Sequence, residues 1–422
     1  MLFRINRRFI LIRKMSSITP PVTVKHMKVL DKTAFDTKIE VPSLRFACSE
    51  LNAARRHFKK YILKLENFRP VQSIEGSEDK RVFLRPETKK LSDLSTCDQE
   101  GLTKLGVPSE FPLVPLDIKY EHFRGDAILK AVLPDQGLSS YSRIGHIVHV
   151  NLHENLIEYK QLIGKVLLDK TVGARTIVNK TDIINSTYRN FQMEVLCGDH
   201  DLIAKVKENH CSFELDFSSV YWNPRLCTEH EKIVEILKKG DVLYDVFAGI
   251  GPFSVPAAKK GVQVFANDLN PESYKWLQHN MKLNKVKAEC FNKDGRDFIR
   301  NEVRQDLIQK YKDKFTGKVH IAMNLPALAT TFLDVFYGLL PEDTPQGSLP
   351  QVYVYCFVPD EEPEKDAVDL VHATLPDCQP EGVHLVRKVS PSKNMMRVTL
   401  QLDRDLLTSQ PCKKQRLDSG EP

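Results

Sequence analysis

The sequence predicts an α/β protein in several parts. Residues 223–402 form a doubly wound, seven-stranded domain, 114–222 an α+β middle domain and 41–113 a small N-terminal module. Three observations carry this reading. A chain of 422 residues exceeds one ordinary domain. Its 41% hydrophobic and 27% charged residues are the proportions of a folded globular protein. Within 223–402, short β-rich runs alternate with helix-length segments, the pattern of parallel strands joined by helical crossovers.

The strands are placed at Val242–Phe247, Val262–Ala266, Lys287–Phe291, Val319–Asn324, Val352–Phe357, Val383–Val389 and Arg397–Leu402. The first five are separated by helical patterns such as Pro271–Leu283 and Asp297–Tyr311, and the last two are joined by a short turn. Upstream, Gly145–Leu152 and Ile163–Leu168 read as pieces of the mixed middle domain. The basic, aromatic-studded run Arg55–Lys64 falls in the N-terminal module, and Pro108, Pro112 and Pro115 mark a linker.

Net charge is +6 from 61 basic and 55 acidic residues, which suits a polyanionic partner without requiring one. Nine scattered cysteines show no Cys-x-x-Cys pair, so reduced thiols and no structural metal are expected. No apolar run approaches the roughly 20 residues of a membrane span. Residues 1–30 carry seven Lys or Arg, no acid and interleaved apolar residues, the composition of a mitochondrial presequence or of a basic RNA-touching arm. Met15 offers a second start that would delete most of this segment, which adds cytoplasmic and nuclear pools to the expected mitochondrial one. Residues 1–40 are therefore read as presequence or disordered, and 403–422, with Pro411–Arg416 as a weak nuclear signal, as a polar disordered tail.

Asp245-Val-Phe-Ala-Gly-Ile-Gly-Pro-Phe253 lies between a strand and a helix, where a glycine-rich turn has meaning. Gly249 and Gly251 let backbone approach a ligand. Ser254 takes the place of the third glycine of the dinucleotide fingerprint, which argues against NAD and for a cofactor without a pyrophosphate. Asp268 ends the second strand, 23 residues after Asp245, near the offset at which an acid meets ribose hydroxyls. Asp294-Gly295 ends the third strand, placed for an adenine amino group; each of these acids could equally cap the helix that follows it. Asn324-Leu-Pro326 ends the fourth strand, and its amide offers both a donor and an acceptor. Thr228 with Glu231 reads as a capping box opening the helix before the first strand, with Glu229 and His230 beside it.

Together, Ile144–Leu152, Asn223–Glu229, Asp245–Phe253, Asn267–Pro271 and Asn324–Pro326 resemble the eukaryotic and archaeal tRNA (guanine-N1)-methyltransferase family, over roughly residues 110–402. That family acts on the guanine 3′ to the anticodon. The resemblance implies a class I, Rossmann-like methyltransferase domain, S-adenosylmethionine as cofactor, tRNA as partner, and no obligate protein partner. It implies Glu229 as general base, Arg189 steadying the guanine and Asn324 holding its Watson–Crick edge. It further implies cofactor contacts from His230, Asp245, Phe247, Gly249, Gly251, Asp268, Leu269, Asn270, Asp294, Gly295, Asn324 and Pro326. Leu328 departs from the polar or basic residue the family often carries there.

The chemistry matches these residue types. Guanine N1 is a poor nucleophile until its proton leaves, a carboxylate can take that proton, and a guanidinium near O6 offsets the charge that develops. Two rivals remain: a wybutosine-pathway transferase of the same fold that moves the aminocarboxypropyl group, and a non-catalytic RNA-binding protein that has kept the fold.

Overall fold

The computed structural model describes residues 18–134, 137–138, 141–184 and 191–409, without side chains at 181–184 and 191–192. The chain divides into two compact units, one essentially N-terminal and the other comprising 200 onwards with two short upstream segments.

The second unit is built on one seven-stranded sheet: β1 (Val242–Asp245), β2 (Gln263–Asn267), β3 (Glu289–Phe291), β4 (Val319–Met323), β5 (Gln351–Pro359), β6 (Pro380–Ser390) and β7 (Lys393–Gln401). Their spatial order is β3-β2-β1-β4-β5-β7-β6. The first five are parallel, and β7 joins β5 and β6 antiparallel. Every residue of β1 and β4 is buried. Helices cover both faces of a parallel sheet, so its central strands are buried on both sides and do not alternate.

The flanking helices are α1 (Cys227–Ile236), α2 (Ser254–Lys259), α3 (Pro271–Leu283), α4 (Gly295–Phe298), α5 (Arg304–Lys312), α6 (Pro363–His372) and α7 (Arg404–Thr408). A π-helical turn, Ile299–Val303, joins α4 to α5, so the expected helix Asp297–Tyr311 is real but interrupted. An antiparallel ribbon, Ile203–Glu208 with Cys211–Asp216, precedes α1. Asn280 and Asn284, one turn apart on α3, bond the backbone of Glu214 and Ser212 and so dock that ribbon on the helix.

Upstream of the ribbon lie two four-stranded sheets, the first wholly within the N-terminal unit. In one, the strands Val71–Ser73, Lys80–Phe83, Thr37–Phe46 and Leu113–Ile118 lie in that order, over a core that includes Phe46, Phe58 and Leu102. In the other, Tyr141–Ile144, Ile147–Val150, Thr176–Ile184 and Phe191–Gly198 lie in chain order beside the helices Gly125–Val132 and Lys160–Lys170.

Several expected boundaries are corrected. The reading of 1–40 as leader or disordered fails for its described part. Val24 and Phe35 are fully buried in the second core of this unit, and a strand begins at Thr37. Leu113–Ile118 pairs with Thr37–Phe46, so the 113/114 boundary cuts a sheet edge rather than a linker. The ribbon 203–216 belongs with the seven-stranded sheet and not with the middle domain. In the tail, Leu406 and Leu407 of α7 are buried against the sheet's core, leaving 410–422 outside the described residues along with 1–17.

Candidate functional site

In an open parallel sheet the ligand crevice lies beyond the carboxyl ends of the strands, where the strand order reverses. Here that point falls between β1 and β4, and the loops leaving β1, β2, β3 and β4 bring the expected residues together.

The turn after β1 is held from β2. Asp268 Oδ2 accepts the backbone N–H of Gly249 at 2.8 Å, and its Oδ1 accepts that of Asn270 at 2.9 Å. The Ser273 side chain is a third donor, which leaves one of the carboxylate's about four acceptor sites for a hydroxyl. Burial pushes the Asp268 carboxyl up to about 6. Asn270 caps α3 through Glu272 N–H and donates to the Ser219 carbonyl, a structural assignment. Leu269 is exposed beside it.

The two glycines differ. Both have positive φ, +56° at Gly249 and +98° at Gly251. A Cβ on Gly251 would meet Leu277 at 2.8 Å and Val255 at 3.0 Å, so its bareness serves packing. A Cβ on Gly249 would meet nothing within 4 Å, so Gly249 faces open space.

Asp245 is fully buried. Ser254 Oγ donates to its Oδ2 at 2.6 Å, while Oδ1 has no hydrogen-bond partner. Burial, reinforced by the charge of Asp268, raises its carboxyl to about 7. Ser254, which displaced the fingerprint's third glycine, thus acquires a role. Asp294 caps α4, accepting from Arg296 N–H at 2.8 Å. Gly295 is demanded by packing, since a Cβ there would lie 2.8 Å from the Phe247 ring, which itself meets Phe332 edge-on. At the end of β4, Asn324 Oδ1 is buried without a partner, and the Pro326 carbonyl accepts from Phe357 N–H. Leu328 is exposed.

Glu229 and His230 occupy the first turn of α1, both buried. No side chain caps α1, so the expected Thr228–Glu231 box does not form. Asn223 instead caps the preceding turn through Arg225 N–H. His230 Nδ1 meets Glu208 Oε1 at 2.5 Å and its ring packs edge-on against Phe253 at 4.8 Å, tying α1 to the glycine turn. Glu229 Oε1 accepts from Tyr355 Oη at 2.9 Å and is ion-paired with Arg397 Nη1. Burial and the adjacent Glu229 carboxylate push the Tyr355 phenol well above its ordinary range, so it remains a donor. Oε2 of Glu229 receives no hydrogen bond among the described residues. Tyr355 and Arg397 are directly opposite each other on β5 and β7.

Sequence reasoning missed Tyr355, Arg397 and Glu208. The signal for Arg397 was a cation inside an apolar strand, flanked by buried Met396 and Val398; taking it as the start of a strand hid that. Arg189 lies outside the described residues.

An orphaned carboxylate oxygen, an orphaned amide oxygen and a bare glycine facing open space fit a small ligand carrying an ammonium group and further N–H or O–H donors. No cluster of metal-ligating side chains occurs among the described residues. The strand order and the loop-borne acids define a class I, Rossmann-like methyltransferase domain.

Comparison with known proteins is specific. Residues 204–343 match the model of the TRM5/TYW2 methyltransferase domain, and 126–201 that of the TYW2 N-terminal domain. The chain is 46% identical over 430 residues to the tRNA (guanine(37)-N(1))-methyltransferase of Danio rerio, covering 95% of this chain and 89% of that protein. It is 44% identical over 406 residues to that of Mus musculus, covering 93% and 80%. The chain belongs to the tRNA (guanine(37)-N(1))-methyltransferase family. A crystal structure of Trm5b from Pyrococcus abyssi shares the fold, with a TM-score of 0.58 at 21% identity over 86% of this chain and 98% of the other. The structure of aTrm5 with tRNALeu has a TM-score of 0.60 at 18% identity, covering 86% and 100%.

Proposed function

We propose that this protein transfers the methyl group of S-adenosylmethionine to N1 of the guanine at position 37 of tRNA, with Glu229 as general base. The observation that carries the reading is the asymmetry of Glu229: one oxygen is fixed by Tyr355 and Arg397, the other receives no hydrogen bond among the described residues, and the whole sits beside the glycine turn.

The bound cofactor supplies an electrophilic methyl on a sulfonium. Asp245 Oδ1 would accept from its ammonium, Asp268 from its ribose hydroxyls and Asp294 from its adenine, and Gly249 would leave room for it. Glu229 Oε2 takes the N1 proton, and Arg397 and Tyr355 keep the carboxylate from turning away. Asn324 Oδ1 accepts from the guanine edge. Arg189 steadies O6, on the family resemblance alone. The curated relatives favour methyl over aminocarboxypropyl transfer.

Methyl-transfer assays on tRNA transcripts bearing G or A 3′ to the anticodon, with mass spectrometry of the nucleoside, test this. A single added methyl on G alone is expected. Activity on both or neither, or the larger adduct, would overturn it, and failure to bind S-adenosylmethionine would favour a non-catalytic role.

We further propose that the enzyme acts as a monomer in the mitochondrial matrix, with cytoplasmic and nuclear pools from initiation at Met15. Light scattering, and fluorescent fusions begun at Met1 or at Met15, test these two points.

A further inference from the structure

The face that carries the Glu229 clamp holds basic residues beyond the one that Glu229 pairs with. Residues paired across neighbouring strands share a face, so Tyr355 and Arg397, which hold Glu229, define the face of β5 and β7 on which α1 lies. His384 of β6 pairs with Arg397 and therefore belongs to it. A regular strand would turn residue 387 to the other side. A bulge between Leu385 and Arg387 instead pairs Arg387 with Met395, returning its side chain to the face of His384 and Arg397.

Two further cations border this face. Lys232, three residues beyond Glu229, has its Nζ 3.0 Å from His384 Nε2. Arg225 is exposed in the turn Pro224–Leu226 that leads into α1, and its charge adds to burial in lowering the Arg387 pKa. Neither the Arg225 nor the Arg387 guanidinium has an acidic partner among the described residues. Glu229 acts on His384, but it is already paired with Arg397. Two guanidiniums in each other's field repel, and an anion between them would relieve the repulsion.

We propose that Arg225 and Arg387, with the Lys232–His384 pair beside them, clasp a backbone phosphate adjoining the guanine that faces Glu229. A phosphodiester offers two non-bridging oxygens, one for each guanidinium fork. A base drawn out of its stack needs its flanking backbone held while the base points inward. The bulge in β6 is thus what puts Arg387 on the face of the Glu229 clamp. This rests on the function proposed above and adds where the domain grips the strand.

The test uses the full chain and three tRNA transcripts: all-phosphate, and with one neutral methylphosphonate linkage either 5′ or 3′ of the target guanine. RNA affinity is measured across a salt series for wild type, R387Q and R225Q, with S-adenosylmethionine affinity as the check on folding. R387Q should bind the all-phosphate RNA about tenfold more weakly, with the salt slope reduced by about one. One of the two neutral linkages should cost wild type about tenfold and each variant less than about twofold, because both changes remove the same contact. Unchanged affinity in both variants, or penalties that simply add, would overturn the clasp. A wild-type enzyme that binds cofactor but methylates no guanine transcript would instead overturn the proposed function, so the two failures are distinguishable.

Discussion

The glycine turn and the Glu229 clamp are built in opposite ways. The turn is a run of nine consecutive residues braced by the loop ending the next strand, Asp268 bonding Gly249 N–H. The clamp joins positions 126 and 168 residues apart, Glu229 with Tyr355 and with Arg397. The turn's features are conformational, a positive φ and an open side. Those of the clamp are electrostatic, and they exist only once β5 and β7 are in register. A local device can be weakened without disturbing the fold, whereas a buried ion pair binds stability and chemistry together.

The largest expected effect follows from that difference. Arg397→Met leaves Glu229 buried without its counter-ion and should cost about 3 kcal/mol of stability together with most of the activity. Urea denaturation and single-turnover rates measure both, and a folded, fully active variant would break the contrast. Gly249→Val should spare stability far more, at about 1–2 kcal/mol for a left-handed non-glycine residue. It should weaken cofactor binding by about tenfold or more, because its side chain enters the open space; titration calorimetry checks this.

Asp245 gives a smaller, pH-dependent effect. Burial raises its folded pKa to about 7, so the fold favours the protonated form. The cost of burying the carboxylate is absent below its unfolded pKa near 4, grows as pH rises and levels off above about 7. Asp245→Asn removes it. The cofactor-free variant should gain on wild type by on the order of 2 kcal/mol between pH 5 and pH 8 in denaturation, while binding cofactor less well. A constant difference across that range would show that the carboxylate is not desolvated as described.

The same contrast explains what could be read in advance. All seven strands were legible, the central ones because a sheet covered on both faces writes them as largely apolar runs: Val242–Phe247 was expected and Val242–Asp245 forms. Asp268 and Asp294 were legible because a strand end followed by an acid is a local pattern. The packing role of Gly251 was not legible, since only the position of Leu277 shows what a Cβ there would meet. Tyr355 and Arg397 were invisible because their meaning depends on cross-strand register. The terminal boundaries failed for a related reason. Residues such as Phe35 and Leu407 are short apolar outposts in polar stretches, and only their distant partners make them core.

The central claim is that Glu229 removes the N1 proton. Glu229→Gln preserves size and keeps an acceptor for Tyr355 and Arg397, but an amide cannot serve as the base. Single-turnover methyl transfer to a G37 transcript at saturating S-adenosylmethionine and tRNA is the direct measurement. The account predicts a rate lower by about 10²–10⁴-fold with cofactor affinity unchanged; transfer near the wild-type rate would contradict it.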